Sequence, residues 1–294
     1  QGVGPVFQVF DSSLNFGMVP VFMDTIDTLL LFNNGNAPLT VNNFQISQLD
    51  STSGLLQLAD STYLPPFSIP ANGEAQVPFR FTPLRADSTL GFLEIFSSDL
   101  LNPQTSIELQ GLGASSRISV SDTILNFGRI SLNADTSLDV TVYNLGNLDL
   151  LIDKDSLQII QDDPAVFRLD SLSTNLSIQS GDSAKIKLYF TPLEMDSSSG
   201  NLRIVSSDPF EPVIHIDLIG VGIGPHLTLM PSDTLLDYGR VPMQEDSTQI
   251  LIFQNTGEAV LIVYYDSLLI SGRDSADYTL QNVNKDIRLL SGES

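Results

Sequence analysis

The sequence repeats itself at a long, fixed period, and that constrains the fold more than any other feature. Leu14-Asn15-Phe16-Gly17 returns as Leu125-Asn126-Phe127-Gly128 and again as Leu236-Asp237-Tyr238-Gly239, with each glycine 111 residues after the last. Asn33-Asn34-Gly35, Asn144-Leu145-Gly146 and Asn255-Thr256-Gly257 recur with the same spacing of 111. Fixed-period self-similarity marks an array of like units. A period of about 110 residues is too long for a solenoid turn and suits one compact domain.

Within a unit the pattern is that of short strands. Val77, Phe79 and Phe81 alternate with Pro78, Arg80 and Thr82, and Ile186, Leu188 and Phe190 repeat them. Such alternation gives a strand with one buried face. Pro78 then points to a sheet edge, because proline cannot donate to the ladder. Thr25 to Phe32 reads as a strand stopped by Asn33-Asn34-Gly35, a turn that Asn and Gly make at positive φ. Val6 to Phe10 reads as a first strand, and Leu39, Val41, Ile46, Leu93, Ile95, Thr105, Ile107 and Leu109 carry later ones. Phe81-Thr82-Pro83 and Ser97-Ser98-Asp99 return as Phe190-Thr191-Pro192 and Ser206-Ser207-Asp208. No stretch sustains a helical period. The expected fold is all-β, with tandem immunoglobulin-like β-sandwich domains in an elongated array.

Gly111-Leu112-Gly113 and Gly220-Val221-Gly222 close the first two units. Residues 1–4 then read as the tail of a preceding repeat, 5–113 as repeat one, 114–222 as repeat two and 223–294 as repeat three. The third is expected to be incomplete, because counterparts of Val77–Phe81, Leu93–Ile95 and Ile107–Leu109 are missing from it. A strand from elsewhere would complete it, either in a longer natural chain or from a neighbouring molecule, with Val6 to Phe10 as one candidate donor. The joints, Ala114-Ser115-Ser116 and Ile223-Gly224-Pro225, are short enough to predict a semi-rigid rod.

Five motifs in order carry a family likeness: Asn/Asp-Phe/Tyr-Gly, Asn-x-Gly, Phe-Thr-Pro, Ser-Ser-Asp and Leu-x-Gly-x-Gly. They resemble the immunoglobulin-like repeats of abnormal spindle protein and Hydin, found in bacterial surface proteins of the choice-of-anchor D type. The resemblance spans essentially the whole chain. It implies a sandwich of seven to eight strands without disulfides, and it implies no catalytic residue and no single ligand.

Composition narrows the partners. With 35 acidic and 13 basic residues the formal net charge is −22, which disfavours nucleic acid and acidic membrane surfaces. Cysteine is absent, so disulfide and thiolate chemistry are excluded. Little Lys with much Ser, Thr, Asp and Asn leans toward an extracellular or cell-surface bacterial protein. The opening residues lack the basic head and apolar run of a signal peptide, and the longest apolar run, Ala259 to Tyr265, is too short to span a membrane.

Few residues invite a chemical reading. His215 and His226 are the only histidines, one on the outward side of a last strand and one in a linker, and neither recurs in the other units. A catalytic triad or zinc centre needs a histidine among partners. Gly220-Val221-Gly222-Ile223-Gly224 imitates a dinucleotide loop, but Pro225 and a β-rich stretch follow where a helix N-terminus is required. Asp162-Asp163-Pro164, Asp87-Ser88-Thr89 and Asp246-Ser247-Thr248 could supply calcium ligands at a junction, yet Asp before Ser or Thr is ordinary turn chemistry. Asn175-Leu176-Ser177 fits a glycosylation acceptor, read as coincidence in a bacterial protein. Phe16, Phe127 and Tyr238 recur beside a turn glycine and read as core anchors rather than a sugar-stacking row.

These readings converge on a non-enzymatic structural or interaction protein with no catalytic, cofactor-binding or metal residue. It is expected to be a rod in a bacterial surface or extracellular protein, as a filament or adhesin stalk. Its partners would be neighbouring repeats, copies of itself or a surface glycan. One alternative is a glycan- or protein-binding module acting through loops, with Ser61-Thr62-Tyr63-Leu64-Pro65-Pro66-Phe67 as the aromatic candidate. Another is the stalk of an enzyme encoded outside this stretch.

Overall fold

The computed structural model describes residues 4–162, 165–170, 174–230 and 235–294. Residues 1–3 of the expected tail, and Asp163 and Pro164 of the acidic turn, lie outside them. Repeat one holds β1 (Phe7–Gln8), β2 (Ser13–Pro20), β3 (Thr25–Asn33), β4 (Leu39–Gln48), β5 (Gly54–Leu58), β6 (Phe67–Ile69), β7 (Glu74–Pro83), β8 (Ser88–Ser97) and β9 (Gln104–Ala114). They form two sheets, in the orders β1-β3-β7-β5 and β2-β9-β8-β4-β6. Nine strands stand where the resemblance implied seven to eight, because β1 and β6 are short edge strands of two and three residues.

Repeat two rebuilds the sandwich with β10 (Ile118–Val120), β11 (Ile124–Ser131), β12 (Thr136–Asn144), β13 (Leu150–Ile152), β14 (Gln158–Gln161), β15 (Phe167–Leu169), β16 (Leu176–Ile178), β17 (Ser183–Phe190), β18 (Ser197–Val205) and β19 (Val213–Ile223). Its main sheets run β10-β12-β17-β15 and β11-β19-β18-β14, with β13 paired to β16. The tandem β-sandwich architecture is therefore present in two copies. Among the described residues the only helical elements are single 3-10 turns, and none is long and apolar enough to cross a membrane.

Alternation puts the expected residues inside. Val77, Phe79 and Phe81 in β7, and Ile186, Leu188 and Phe190 in β17, are buried against Leu29, Leu31, Val140 and Val142. The recurring motifs turn out to be parts of one packing unit. A Cβ on Gly111 would lie 2.4 Å from the Phe81 ring, and one on Gly220 2.6 Å from the Phe190 ring. Only glycine leaves room there, so Phe-Thr-Pro and Leu-x-Gly-x-Gly are two halves of one contact.

Two local expectations are corrected. Pro78 does not lie on an edge, since β7 is flanked by β3 and β5. Its carbonyl accepts from the Ala59 N–H at 2.9 Å, just beyond the end of β5. In an antiparallel ladder a residue's amide and carbonyl face the same neighbour. The missing donor therefore points where β5 has run out, and the ladder to β3 is intact. The Asn-x-Gly glycines are not at positive φ either. In each unit it is instead the earlier motif glycine, Gly17, Gly128 or Gly239, that is left-handed, at φ 67, 73 and 63°. Gly17 and Gly128 sit at the register shift where β2 meets β9 and β11 meets β19 in parallel.

Among the described residues of repeat three the strands are β20 (Leu227–Met230), β21 (Ile252–Asn255), β22 (Leu261–Val263) and β23 (Ile287–Leu289). They pair as two separate two-stranded ladders, β20 with β21 and β22 with β23.

Candidate functional site

What recurs in all three units is a buried asparagine lock. Asn33, Asn144 and Asn255 are fully buried at the end of the strand that pairs with the entering chain. The Asn144 side-chain oxygen accepts from Arg117 N–H at 3.3 Å and Gly146 N–H at 3.0 Å, and its Nδ2 donates to the carbonyls of Leu148 at 2.8 Å and Ile178 at 2.9 Å. Asn255 makes the same four bonds, with His226, Gly257, Ala259 and Leu289. The glycine two residues on is needed for close approach. A Cβ on Gly35, Gly146 or Gly257 would stand 2.3, 2.2 or 2.3 Å from backbone atoms of the entering segment. The entering chain is thus clamped into the unit it opens.

A second clamp comes from Ser-Ser-Asp. Asp99 and Asp208 are buried, and their Oδ2 atoms accept from the N–H of Phe7 and Ile118, both at 2.9 Å. Burial pushes the Asp99 carboxyl up, but N–H bonds from Phe7, Leu101 and Asn102 outweigh it and hold the group below its ordinary value.

These clamps make the joints short and ordered. At joint one Ala114, Ser115 and Ser116 are all buried. The Val21 N–H donates to Ala114 O at 2.8 Å, and the Ser115 N–H to Asn147 Oδ1 at 2.8 Å. Phe22, held at φ 65°, meets Phe210 of the next repeat edge-on at 5.4 Å between ring centres. An aromatic residue at positive φ is strained, and here the strain presents its ring to the neighbour. Joint two replaces the ring pair with charge. Its counterpart of Phe22 is Asn133, at φ 60°, and Arg129 Nε donates to Glu258 Oε2 at 2.8 Å. A cleft of about 410 Å³ lies beside that ion pair, lined by Met195, Asp196, Gly222, Gly224, His226 and Thr256 among others.

The residues singled out for chemistry are dispersed. His215 is exposed on β19, its Nδ1 2.7 Å from Asn201 Oδ1, while Asn201 Nδ2 donates to Asp217. That is a cross-strand polar ladder on an open sheet face. His226 contributes its backbone N–H to the asparagine lock. Gly220 makes room for Phe190, and Gly222 N–H donates to Asp196 O, so the glycine run is a strand end, followed by β20 rather than a helix. At the joints two acidic groups have partners. Asp208 accepts three N–H bonds, from Ile118, Phe210 and Glu211, and Glu258 is paired with Arg129. Among the described residues no three His, Asp or Glu side chains converge as a metal cluster. Asn175 is exposed, and its Oδ1 accepts from Lys154 N–H at 3.1 Å.

In the aromatic loop of repeat one Tyr63 and Phe67 are half-buried, while Leu64 is exposed. Tyr63 meets Phe67 edge-on at 5.5 Å, and Phe44 bridges Phe67 and Phe79 at 6.0 and 5.8 Å. Phe16 and Phe127 are buried against Phe81 and Phe190, and Tyr238 is half-buried beside Tyr278. None forms an exposed stacking row.

In repeat three Leu251 is 38% exposed and Phe253, Leu261 and Val263 are half-buried, whereas their counterparts Val140, Val142, Leu150 and Ile152 are at 0%. A cleft of about 390 Å³ runs beside β21, lined by Leu251, Ile252, Phe253, Ile287, Leu289 and Ser294.

No family model matches the chain, and no curated protein matches it. Solved structures do. Protocadherin gamma B7 extracellular cadherin domains 1–4 align over 99% of this chain and 68% of their own, at 11% identity and TM-score 0.46. Titin domains I67–I69 align over 100% of this chain and 90% of theirs, at 11% identity and TM-score 0.33. A protein of unknown function from Porphyromonas gingivalis W83 covers 73% of this chain and 99% of its own, at 17% identity and TM-score 0.30. The assignment of tandem sandwiches rests on the strand pairing above.

Proposed function

We propose that the chain is a non-enzymatic structural rod of immunoglobulin-like repeats of the abnormal spindle and Hydin type, borne by a bacterial surface or extracellular protein. The observation that carries this is the doubly built joint. Each linker is clamped by the buried asparagine of the unit it opens, and each joint adds a side-chain contact between units, Phe22 with Phe210 or Arg129 with Glu258. Such joints transmit orientation from bead to bead, which a stalk needs and a soluble enzyme domain does not. The net charge of −22 keeps an extended array soluble and apart from anionic surfaces. Tyr63 and Phe67, the aromatic residues of the loop-binding alternative, are half-buried and pack on each other and on Phe44.

Small-angle scattering of the full chain tests the reading. A single compact body of this length has a radius of gyration of about 19 Å. The rod requires a clearly larger radius with a cross-section of one sandwich; a value near that of the compact body overturns it.

A further inference from the structure

We infer that joint two is a hinge, made so by Glu258 standing where the other units have asparagine, and that joint one, which keeps the asparagine, is fixed. The rod then bends at one place, between repeats two and three, in answer to ionic conditions. This adds a moving part to the rod reading and rests on that reading only for units joined end to end.

The three units carry one position, 111 residues apart, as Asn36, Asn147 and Glu258. Its backbone bonds the same way each time. The N–H groups of Asn36, Asn147 and Glu258 donate to the carbonyls of Gly4, Ser115 and Gly224 at 3.2, 2.9 and 2.9 Å. The side chain differs. Asn36 Oδ1 accepts from the Gly4 N–H at 3.0 Å, and Asn147 Oδ1 from the Ser115 N–H at 2.8 Å. Asn147 Nδ2 also donates to Gly113 O at 3.1 Å, at the end of β9. One neutral amide therefore ties the last strand of repeat one and the linker to the turn of repeat two.

Glu258 cannot copy this. An ionised carboxylate has no N–H, so it cannot donate to Gly222 O, the counterpart of Gly113 O. Its Oε2 instead accepts from Arg129 Nε at 2.8 Å, across the joint. The partner position has changed with it, because Arg129 stands where repeat one has Met18. Both lie on the strand that runs parallel to the last strand of the unit, Met18 opposite Leu112 and Arg129 opposite Val221. A clamp onto a buried linker is thus exchanged for two long side chains, each more than half exposed. The neutral clamp is indifferent to salt, whereas the exposed pair is screened by it. The cleft of about 410 Å³ bordered by Arg129, Gly222, Gly224 and Glu258 gives the two units room to close on that side.

The test removes the hinge from one joint and builds it into the other. The chain has no cysteine of its own, so one spin-labelled cysteine at an exposed position in each flanking repeat reads a joint as a distance distribution. In the unaltered chain, raising salt to about 1 M, where the screening length is about 3 Å, should widen the joint-two distribution about two-fold and leave joint one unchanged. Glu258→Asn should narrow joint two and abolish its salt response. Met18→Arg together with Asn147→Glu should give joint one the wider, salt-dependent distribution of joint two. Thermal unfolding of each variant separates a looser joint from a damaged repeat. If joint two keeps its width and salt response in Glu258→Asn, the inference is overturned. It is overturned equally if joint one of the double variant stays narrow at every salt concentration. A compact body in the scattering test would sink the rod and leave these joint measurements standing.

Discussion

Repeats two and three carry the same entering strand, the same asparagine lock and the same left-handed glycine, yet only one is a closed sandwich. In repeat two β12 lies between β10 and β17, and Val140 and Val142 are fully buried. In repeat three β21 has four residues where β12 has nine. The difference separates two kinds of interaction. Polar locks between residues close in sequence, such as Asn255 with Gly257 and Ala259, persist without the second sheet edge. Burial does not, because it needs strands brought from far along the chain. Local hydrogen bonds thus set the shape of a unit's entrance, and non-local packing supplies its stability.

The largest expected contrast is in backbone protection. Amides of β12 should exchange only through opening of the whole repeat, those of β21 through local opening. That predicts exchange at Ile252–Asn255 at least about 10³-fold faster than at Val140–Tyr143. Native-state hydrogen exchange on the full chain measures it, and equal protection would show that repeat three is closed in solution. Next is Phe190→Ala. Its ring is fully buried between Phe127 and Phe167, at 5.5 and 5.0 Å, and fills the space left by Gly220. Truncation should cost repeat two about 3–5 kcal/mol. Phe81→Ala should do the same to repeat one, and a loss under about 1 kcal/mol in chemical denaturation would mean the strand faces are wrong.

The lock itself should matter in proportion to what surrounds it. Asn144→Ala strips partners from four backbone groups inside a closed sandwich and should cost about 3 kcal/mol. Asn255→Ala does so in an open unit that water can enter, so its loss should be much smaller. Thermal unfolding of the two variants, followed domain by domain, sharpens the comparison. Acid separates repeat one further. The Asp99 carboxyl is held below its ordinary value in the folded state. Its contribution is therefore present above the unfolded pKa of about 3.9 and lost as pH falls through the folded value. Asp99→Asn should lower stability at neutral pH and flatten this part of the acid profile, as acid titration of both proteins would show.

Much of this was legible in the sequence because it repeats. The period and the inward faces of β7 and β17 follow from alternation and counting. What stayed hidden depends on contacts between distant residues. Asp99 and Asp208 look like turn residues because the amides they cap lie 92 and 90 positions away. The Asn-x-Gly glycine looks like a positive-φ turn because its true constraint is the oxygen of Gly4, met only in three dimensions. Pro78 signals an edge, and only the length of β5 reveals how a central strand accommodates it. The contact of Phe22 with Phe210 leaves no local trace at all.

The two joints give the smallest and most specific test. Phe22 and Phe210 meet through apolar rings, whereas Arg129 and Glu258 meet through charge, each side chain more than half exposed. An exposed ion pair contributes about 0.2–1 kcal/mol and is screened by salt. Arg129→Ala should therefore leave the unfolding of repeat two within about 1 kcal/mol of the parent while loosening the angle between repeats two and three. Raising salt should do the same to the unaltered chain, because at 1 M the screening length falls to about 3 Å. Joint one should not respond, since contact between apolar rings strengthens slightly, if anything, as salt rises. Spin labels at exposed positions on either side of each joint would read this directly as distance distributions. Broadening at joint two alone, in high salt and in Arg129→Ala, is the expected outcome. Equal broadening at both joints would mean that neither the ring contact nor the ion pair sets the angle, leaving only the backbone clamps of Ser115 and Gly224 to do so.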